Sequence, residues 1–370
     1  MCAVSSVLAP GRGGLNAFGE AVAYLRERRP FVPHPLMPLG DLQTVCGAMW
    51  RREFPPLHPV VLHAISLRDG GIVEAEWVRA FPGRPVLLVV HGMAGSCRSC
   101  YVQALAHKAL QRGWNALLPS FYDRRKPSRR RLLHAGSSDA LQDILDEAVR
   151  LAGGAPVFLV GVSLGGNICL KCLGELGEAA RSRVAAAVMI SPLVDLSASW
   201  RGMEARRAWL YRRYFVSRLR EAVVRERDGW SRIVDVAALE KIRTIREFDE
   251  IVTVPLGGFA SVFHYYEVAS AVHVLDRIAV PTLVIHALDD PILPVAPLRS
   301  EAFHGNPHLA LWLTRRGGHV GFIERTPSGP DRAWAENRAV EFFARLEPRL
   351  AASAGAEAPA RPETWRSERS

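Results

Sequence analysis

Short runs of consecutive apolar residues, separated by stretches with helical spacing, dominate the middle of the chain. The runs have the length of single strands and are rich in β-branched residues, as in strands buried on both faces of a parallel sheet. They fall at 86–90, 114–118, 157–160, 184–190, 280–286 and 310–314. Between them, 101–111 and 138–151 place apolar side chains three and four positions apart, as amphipathic helices do. This alternation predicts an α/β fold with a mostly parallel central sheet and helices on both faces.

The segments outside this rhythm carry separate signals. Alternating apolar and polar positions over 60–67 and 72–79 flank Asp69-Gly70-Gly71, a pattern typical of a β-hairpin. Three further helices are expected, at 17–28, 41–52 and 332–346. After position 351 the chain consists largely of Ala, Glu, Pro, Arg and Ser, a composition typical of disorder.

These signals divide the chain into an N-terminal extension (1–30), one main domain (31–350) and a disordered tail (351–370). Within the main domain, the strand rhythm stops between about 195 and 275, where the sequence is helical and rich in arginine and aromatic residues. We interpret this stretch as a helical lid inserted over the carboxyl edge of the sheet, because ligands bind at that edge in open α/β sheets.

Composition limits the classes of protein that the chain can represent. Its 370 residues are 49% hydrophobic, enough for a sizeable core, and the formal net charge is +10. Most of the positive charge is arginine, which a base-composition bias of the gene would also produce. The densest basic run, 123–131, has no interleaved aromatic residues. It favours a solvated loop over attraction to an anionic substrate or lipid headgroup, and no nucleic-acid partner is predicted.

No apolar run is long enough to span a bilayer, and the first residues lack the basic and apolar regions of a signal peptide. We therefore expect a cytoplasmic protein, with peripheral membrane contact left open. Among six cysteines, Cys97 and Cys100 form one C-x-x-C pair and Cys169 and Cys172 another. Because the second pair lies within a predicted helix, we expect small buried side chains and neither a metal site nor a redox site.

The strongest chemical signal follows the apolar run 157–160. The sequence Gly161-Val162-Ser163-Leu164-Gly165 joins that strand to a helix expected from Gly166 to about Leu176. This is the strand–G-x-S-x-G–helix pattern of a nucleophile elbow, in which a strained turn exposes the serine Oγ. The flanking glycines allow the strand and the helix to approach closely. The pattern makes Ser163 the candidate nucleophile, whereas the alternative is a tight turn without chemistry.

A nucleophilic serine needs a base and an acid that orients the base. On sheets of this kind the chain order is serine, acid, histidine. Asp289 and Asp290 both follow the late strand, and the loop pattern favours Asp290 as the acid and Asp289 as a brace of the turn. His319 follows the last strand in the glycine-rich loop Gly317-Gly318-His319, which favours it as the catalytic base.

The oxyanion of the reaction needs two backbone N–H donors. Leu164, the residue after the nucleophile, supplies one. The loop His91-Gly92-Met93-Ala94 after the first buried strand supplies the other, which we assign to Met93. No metal and no organic cofactor is expected.

These motifs together resemble the YheT-like α/β-hydrolases, AB hydrolase family 4, which are related to the mammalian ABHD1/2/3 group. Further matching pieces lie outside the predicted site: Leu42-Gln43-Thr44, Arg112-Gly113-Trp114, Ile245-Arg246-Glu247-Phe248-Asp249, Gly257-Gly258-Phe259 and Tyr265-Tyr266. The resemblance covers roughly 31–346. It implies an α/β-hydrolase fold with a Ser163–Asp290–His319 charge relay and hydrolysis of carboxylic esters such as acylglycerols, phospholipids or short- to medium-chain acyl esters.

The sequence departs from this family at two places, and the first of them bears on substrate preference. The segment 121–128 replaces an Arg-Gly-Cys-Ser-Gly-like loop beside the site, and Gly40-Asp41 replaces Asn-x-His.

Two alternative functions remain: a thioesterase or amidase with the same relay, and a catalytically silent ligand-binding protein on this fold. A basic nucleic-acid binder is the least favoured reading.

Overall fold

A computed structural model describes residues 14–50, 52–121, 134–225 and 236–353. The predicted basic run 123–131, nearly all of the divergent segment 121–128 and most of the predicted tail 351–370 lie outside the described residues.

The core of the fold is one eight-stranded sheet with the order β1-β2-β4-β3-β5-β6-β7-β8. Strand β2 runs antiparallel to both β1 and β4, and all other neighbours are parallel. The strands are β1 (Val60–Ser66), β2 (Ile72–Val78), β3 (Val86–Val90), β4 (Asn115–Ser120), β5 (Val157–Val162), β6 (Ala186–Ile190), β7 (Thr282–Ala287) and β8 (Leu309–Thr314). The predicted hairpin is β1–β2, and the prediction of a mostly parallel sheet is confirmed.

Helices cover both faces of the sheet, which explains why every residue of β3, β5 and β6 is buried. One apolar core lies beneath α4 and α5, and the other lies beneath α1, α3 and the C-terminal helix α12. The covering helices are α1 (Gly14–Arg28), α2 (Gly40–Met49), α3 (Cys100–Gln111), α4 (Ser138–Ala152), α5 (Leu164–Leu176) and α12 (Trp334–Ser353).

Helix α1 corrects the expected domain boundary. The sequence placed residues 1–30 in an extension, but Phe18, Val22 and Leu25 are buried in the same core as the sheet. The ring of Phe18 contacts that of Phe342 with centroids 6.0 Å apart. The apolar stripe of α1 therefore packs against α12, at a distance in sequence that local patterns cannot reveal. Helix α12 itself continues to Ser353, beyond the predicted end.

Between β6 and β7 the structure places the helices that the sequence assigned to a lid. They are α6 (Leu196–Glu204), α7 (Trp209–Arg225), α8 (Val236–Leu239), α9 (Ile245–Phe248), α10 (Val254–Gly257) and α11 (Val262–Ala269), with a π-helical turn (Asp249–Thr253) between α9 and α10. Side-chain caps fix three of their starts: Asp195 caps α6, Thr244 and Glu247 form a capping box on α9, and Ser261 caps α11. Within the described residues, no helix has the length and apolarity needed to cross a bilayer.

Candidate active site

Ser163 stands on the turn between β5 and α5. Its backbone has φ 54° and ψ −118°, a conformation that non-glycine residues rarely adopt. A Cβ on Gly165 would lie 2.4 Å from the carbonyl oxygen of Val90, and one on Gly161 would lie 2.8 Å from the Cα of Gly166. The two glycines thus allow the strand, the turn and the helix to come together. Helix α5 begins at Leu164, two residues earlier than predicted, so the serine immediately precedes the helix.

The structure brings the three predicted relay residues into one chain of hydrogen bonds. The Oγ of Ser163 lies 2.9 Å from Nε2 of His319, and Nδ1 of His319 lies 2.8 Å from Oδ2 of Asp290. Asp290 and His319 are each 8% exposed. The geometry suits an Nδ1–H that donates to the carboxylate, which leaves Nε2 free to accept a proton from Ser163.

The Asp290 carboxylate is buried but well supported. Burial alone would raise its pKa, yet the neighbouring His319 and the backbone N–H of Leu293 outweigh burial and hold the pKa of Asp290 below its usual range. The Oδ1 atom accepts from the N–H groups of Ile292 and Leu293, at 2.8 and 2.9 Å. Asp290 therefore stays ionised, as an acid that orients a histidine must.

His286 lies directly behind the acid, although its sequence context pointed to no role. The residue is fully buried, and its Nε2 is 3.8 Å from Oδ2 of Asp290. Burial lowers the pKa of His286, so the ring is neutral at neutral pH and forms an uncharged backing for the carboxylate. A buried position on β7 was the signal available in the sequence, but that signal does not distinguish it from an ordinary core residue.

Asp289 contacts the histidine loop rather than the histidine ring. Its Oδ1 accepts from the N–H of Gly318 at 2.9 Å, so it braces the backbone beside His319. Gly40 packs against Asp289 so closely that a Cβ there would lie 1.9 Å from the Asp289 carbonyl oxygen. Of the two adjacent aspartates, Asp290 therefore contacts the His319 ring, and Asp289 contacts the backbone of the loop that carries His319.

Helix α2 holds the same loop from the other side, a role that the sequence analysis did not assign. The Oγ1 of Thr44 accepts from the backbone N–H of His319 at 2.8 Å and donates to the Gly40 carbonyl at 2.7 Å. The side chain of Gln43 accepts from the Ile323 N–H at 2.6 Å and donates to the Ile323 carbonyl at 3.1 Å. The Leu42-Gln43-Thr44 motif was visible as part of a resemblance, but only the fold shows what two of its side chains contact.

The predicted oxyanion residues lie beside the nucleophile. A Cβ on Gly92 would lie 3.1 Å from the Ser163 Cβ, so glycine lets this loop approach the nucleophile without crowding. The hydroxyl of Tyr101 accepts from the Gly92 N–H at 2.8 Å and fixes the loop that carries Met93. His91 adds a second support, because its ring joins the Gly92 carbonyl to the N–H of Phe121. Burial lowers the pKa of His91 to about 4, so this ring is neutral.

Backbone strain is concentrated around this centre. In the described part of the chain, positive φ values at non-glycine residues occur at Ala94, Ser163, Ser191, Val320 and Phe322. All five lie in loops that surround the relay, and the Ser191 hydroxyl accepts from the Val320 N–H at 3.1 Å. Such conformations cost roughly 1–3 kcal/mol each and persist where the surroundings fix them. Their clustering marks the loops as a functional site.

A cavity opens above Ser163 and His319 and extends beneath the lid helices. About 900 Å³ of it is not filled by protein atoms, with part of that space open to solvent. Its wall is largely apolar and includes Met93, Leu164, Leu196, Trp200, Leu219 and Phe248. A cavity of this chemistry suits a hydrocarbon chain rather than a strongly polar group.

The cysteine pairs differ from each other in the structure. Cys169 and Cys172 are buried in α5, as predicted for small core residues. Cys97, in the loop before α3, and Cys100, the first residue of α3, are only half-buried, so the prediction was wrong for this pair. Among the described residues, no group of three or more metal-binding side chains is assembled.

Comparison with known proteins identifies the family. A family model described as the alpha/beta hydrolase fold matches residues 85–326. The protein YheT of Escherichia coli (strain K12) is named as an esterase. It is 34% identical over 324 residues, covering 85% of this chain and 92% of that protein. Phospholipase ABHD3 of Mus musculus is 27% identical over 324 residues, covering 83% of this chain and 78% of that protein.

A solved structure agrees on the fold. The Pyrococcus furiosus esterase PF2001 superimposes with a TM-score of 0.52 at 17% identity, covering 86% of this chain and 98% of that one. The chain therefore belongs to the α/β-hydrolase family. Within that family it is a YheT-like member and a carboxylic-ester hydrolase.

Proposed function

We propose that this protein is a serine esterase that cleaves carboxylic esters through an acyl-enzyme, with Ser163, His319 and Asp290 as its charge relay. One observation carries the proposal: the unbroken chain of hydrogen bonds from Asp290 through His319 to Ser163, at the mouth of an apolar cavity. The membership of the chain in the α/β-hydrolase family supports the same reading.

In the first half of the reaction, Nε2 of His319 takes the proton of Ser163 while Oγ attacks the ester carbonyl. Asp290 holds the ring orientation and stabilises the imidazolium that forms. The same histidine then gives the proton to the departing alcohol, and the acyl group remains on Ser163. In the second half, His319 activates a water molecule that releases the acid and restores the serine.

The negative charge that develops on the carbonyl oxygen needs preorganised donors. We assign the backbone N–H groups of Met93 and Leu164 to this role. The position of Gly92 against Ser163 supports the first, and the start of α5 at Leu164 supports the second. The helix start also places a positive dipole end beside the oxyanion. No step in this scheme uses a metal ion or an organic cofactor.

The apolar cavity favours an acyl chain as the group that the enzyme buries. A phospholipase among the relatives supports a lipid-like ester, so we propose acylglycerols or short- to medium-chain acyl esters as the substrate class. A thioester or an amide would pass through the same tetrahedral intermediate. A panel of matched ester, thioester and amide substrates separates these alternatives, and we expect the ester to have the highest kcat/KM.

The direct test is labelling of the purified protein with a fluorophosphonate probe, alongside turnover of p-nitrophenyl esters. We expect wild type to be labelled, and Ser163→Ala to lose labelling and about 10⁶-fold in kcat. Ser199→Ala is a matched control, since Ser199 lines the same cavity but donates to the Asp195 carbonyl, and it should still be labelled. A labelled and active Ser163→Ala variant would refute the proposal.

A silent binding protein on this fold is the second candidate, and a folded wild type that neither reacts with the probe nor turns over any ester would favour it.

The cytoplasmic location expected from the sequence stays a prediction. Fractionation of cells that express the full chain tests it, since the bulk of the protein should then remain in the cytosolic fraction.

A further inference from the structure

The cavity wall contains a carboxyl group that the proposed reaction does not use. Asp249, the first residue of the π-helical turn in the lid, lines the same cavity as Ser163 and is 8% exposed. In the part of the chain that the structure describes, it forms no ion pair with a basic side chain. A carboxylate buried without a cation is costly, so it needs compensation from hydrogen bonds.

Two hydroxyl donors supply part of that compensation. Thr253 donates to Oδ1 of Asp249 at 2.7 Å, and Tyr266 donates to Oδ2 at 2.9 Å. Burial raises the pKa of Asp249 to about 7 although both donors favour the ionised form. A carboxylate has about four acceptor positions, and these two bonds fill two of them. Asp249 therefore keeps capacity to accept a further hydrogen bond.

An unused donor lies on the same wall. The indole Nε1 of Trp200 is buried and has no hydrogen-bond partner among the described residues. The Trp200 ring lies against that of Tyr266, with centroids 6.4 Å apart, and both side chains line the cavity. Arg246 stacks over the Trp200 ring at 5.5 Å, but its guanidinium pairs with Glu250. A buried indole N–H normally has an acceptor, so its partner is missing from the protein itself.

One chemical group satisfies both needs. A hydroxyl donates one hydrogen bond and accepts others, so it can donate to the Asp249 carboxylate and accept from the Trp200 N–H. An ammonium group has no acceptor for the indole, and a carboxylate would repel Asp249. A purely hydrocarbon substrate would leave both protein groups unsatisfied, and sites of that kind discriminate strongly against the analogue that lacks the hydroxyl.

On the basis of the proposed ester hydrolysis at Ser163, we propose that Asp249, Tyr266 and Trp200 form a subsite for a hydroxyl group of the substrate. The enzyme then prefers esters that carry a free hydroxyl over esters that differ only by its absence. The hydroxyl can belong to the alcohol half, as in a glycerol monoester, or to the acyl chain, as in a hydroxyacyl ester.

Two substrate pairs test the subsite and locate the hydroxyl. 3-Hydroxypropyl butyrate is compared with propyl butyrate, and ethyl 6-hydroxyhexanoate with ethyl hexanoate, all at pH 8. We expect wild type to favour the hydroxylated member of one pair by about tenfold in kcat/KM, the value of one good hydrogen bond. The pair that shows the preference identifies the half of the substrate that enters the subsite.

Conservative variants separate recognition from a bracing role of the same residues in the lid. Trp200→Phe keeps the ring but removes the N–H, and Asp249→Asn keeps the shape but removes the charge. Both should lower the preference towards unity. Glu240→Gln, at an exposed acidic residue of the lid outside the subsite, should leave the preference unchanged. If a variant slows both members of each pair equally, the residues only brace the lid and the inference is wrong.

The fluorophosphonate assay keeps the two proposals apart. An enzyme that is labelled at Ser163 and hydrolyses all four esters without preference refutes the hydroxyl subsite but leaves the esterase proposal intact. A folded wild type that is neither labelled nor active refutes both.

Discussion

The loops that carry Ser163, Asp290 and His319 and the lid helices α6–α11 face one cavity but are built in different ways. The relay loops lie at the carboxyl edge of the sheet, and side chains such as Thr44 and Asp289 pin their backbone. The lid consists mostly of short helices, four of them at most eight residues long. Its polar links to the body include bonds from Tyr211 to Asp41 and from Asn167 to Ala269.

This difference separates two tasks. Catalysis needs groups held within a fraction of an ångström, and the hydrogen-bonded loops provide that. Recognition of the substrate depends on the shape and polarity of the cavity, most of whose wall is lid. Changes in the relay loops should therefore alter kcat, whereas changes in the lid should alter substrate preference and pH dependence.

After loss of the nucleophile itself, the largest effect should come from the proposed acid of the relay. Asp290→Asn removes the charge that orients His319 and stabilises its protonated form, so we expect kcat to fall by about 10⁴-fold with little change in KM. The measurement is steady-state hydrolysis of a p-nitrophenyl ester. Asp289→Asn is the matched control one residue away. It keeps an oxygen to accept from Gly318 and should lose tenfold or less.

A fall of the same size in both variants would mean that the loop as a whole, rather than Asp290, sets the rate. A larger effect at Asp289 would reverse the assignment. Either result would remove the distinction between relay and brace that the hydrogen bonds suggest.

The sequence predicted the sheet and the elbow, and it selected three residues that the structure joins by hydrogen bonds. Each of these predictions depends on local order: a strand, a turn and a residue type at a fixed place. It did not predict the roles of Thr44 and Gln43. Their partners, His319 and Ile323, lie about 280 positions away along the chain. No local pattern carries such a contact.

The lid shows the same limit of local sequence patterns, here for the burial of a charged residue. Its helical character was readable, but the burial of Asp249 was not, since an aspartate in Arg246-Glu247-Phe248-Asp249-Glu250 resembles any charge on a solvated face. Burial arises because the π-helical turn faces α11, where Tyr266 supplies a donor. Helix α1 was predicted at 17–28, but its packing into the main core was not, because its partner α12 is the last helix that the structure describes.

The second prediction concerns the lid. The folded pKa of Asp249, about 7, lies above its ordinary value of 3.8, so the folded protein binds this proton more tightly than the unfolded chain does. Protonation of Asp249 therefore makes its full contribution to the free energy of unfolding below about pH 4, and this contribution is lost as pH rises to about 7. The loss amounts to about 4 kcal/mol, because a tenfold difference in proton affinity corresponds to ~1.4 kcal/mol. The groups acting on Asp249 are Thr253, Tyr266 and Glu250.

Asp249→Asn should abolish this part of the pH dependence. Relative to wild type, the variant should gain stability between pH 4 and pH 8, as followed by urea unfolding with tryptophan fluorescence. Glu240→Gln, at an exposed acidic residue of the lid that does not act on Asp249, should track wild type across the same range. If wild type and Asp249→Asn differ by a constant amount at every pH, the carboxyl is not held with a raised pKa and the contrast between lid and relay weakens.

The smallest effect tests how the relay loop is held. Thr44→Val keeps the shape of a side chain that is 7% exposed but leaves the His319 N–H without its acceptor. The loop then loses one of the bonds that fix the ring, so we expect about a tenfold fall in kcat at unchanged KM, equivalent to roughly 1.4 kcal/mol. Thr44→Ser restores an acceptor and should recover most of the rate.

Thr282→Val is the control, because its buried hydroxyl lies at the amino end of β7, away from the relay loops, and donates to the Val280 carbonyl. Equal losses in Thr44→Val and Thr282→Val would show a general cost of removing a buried hydroxyl, and α2 would then have no positioning role.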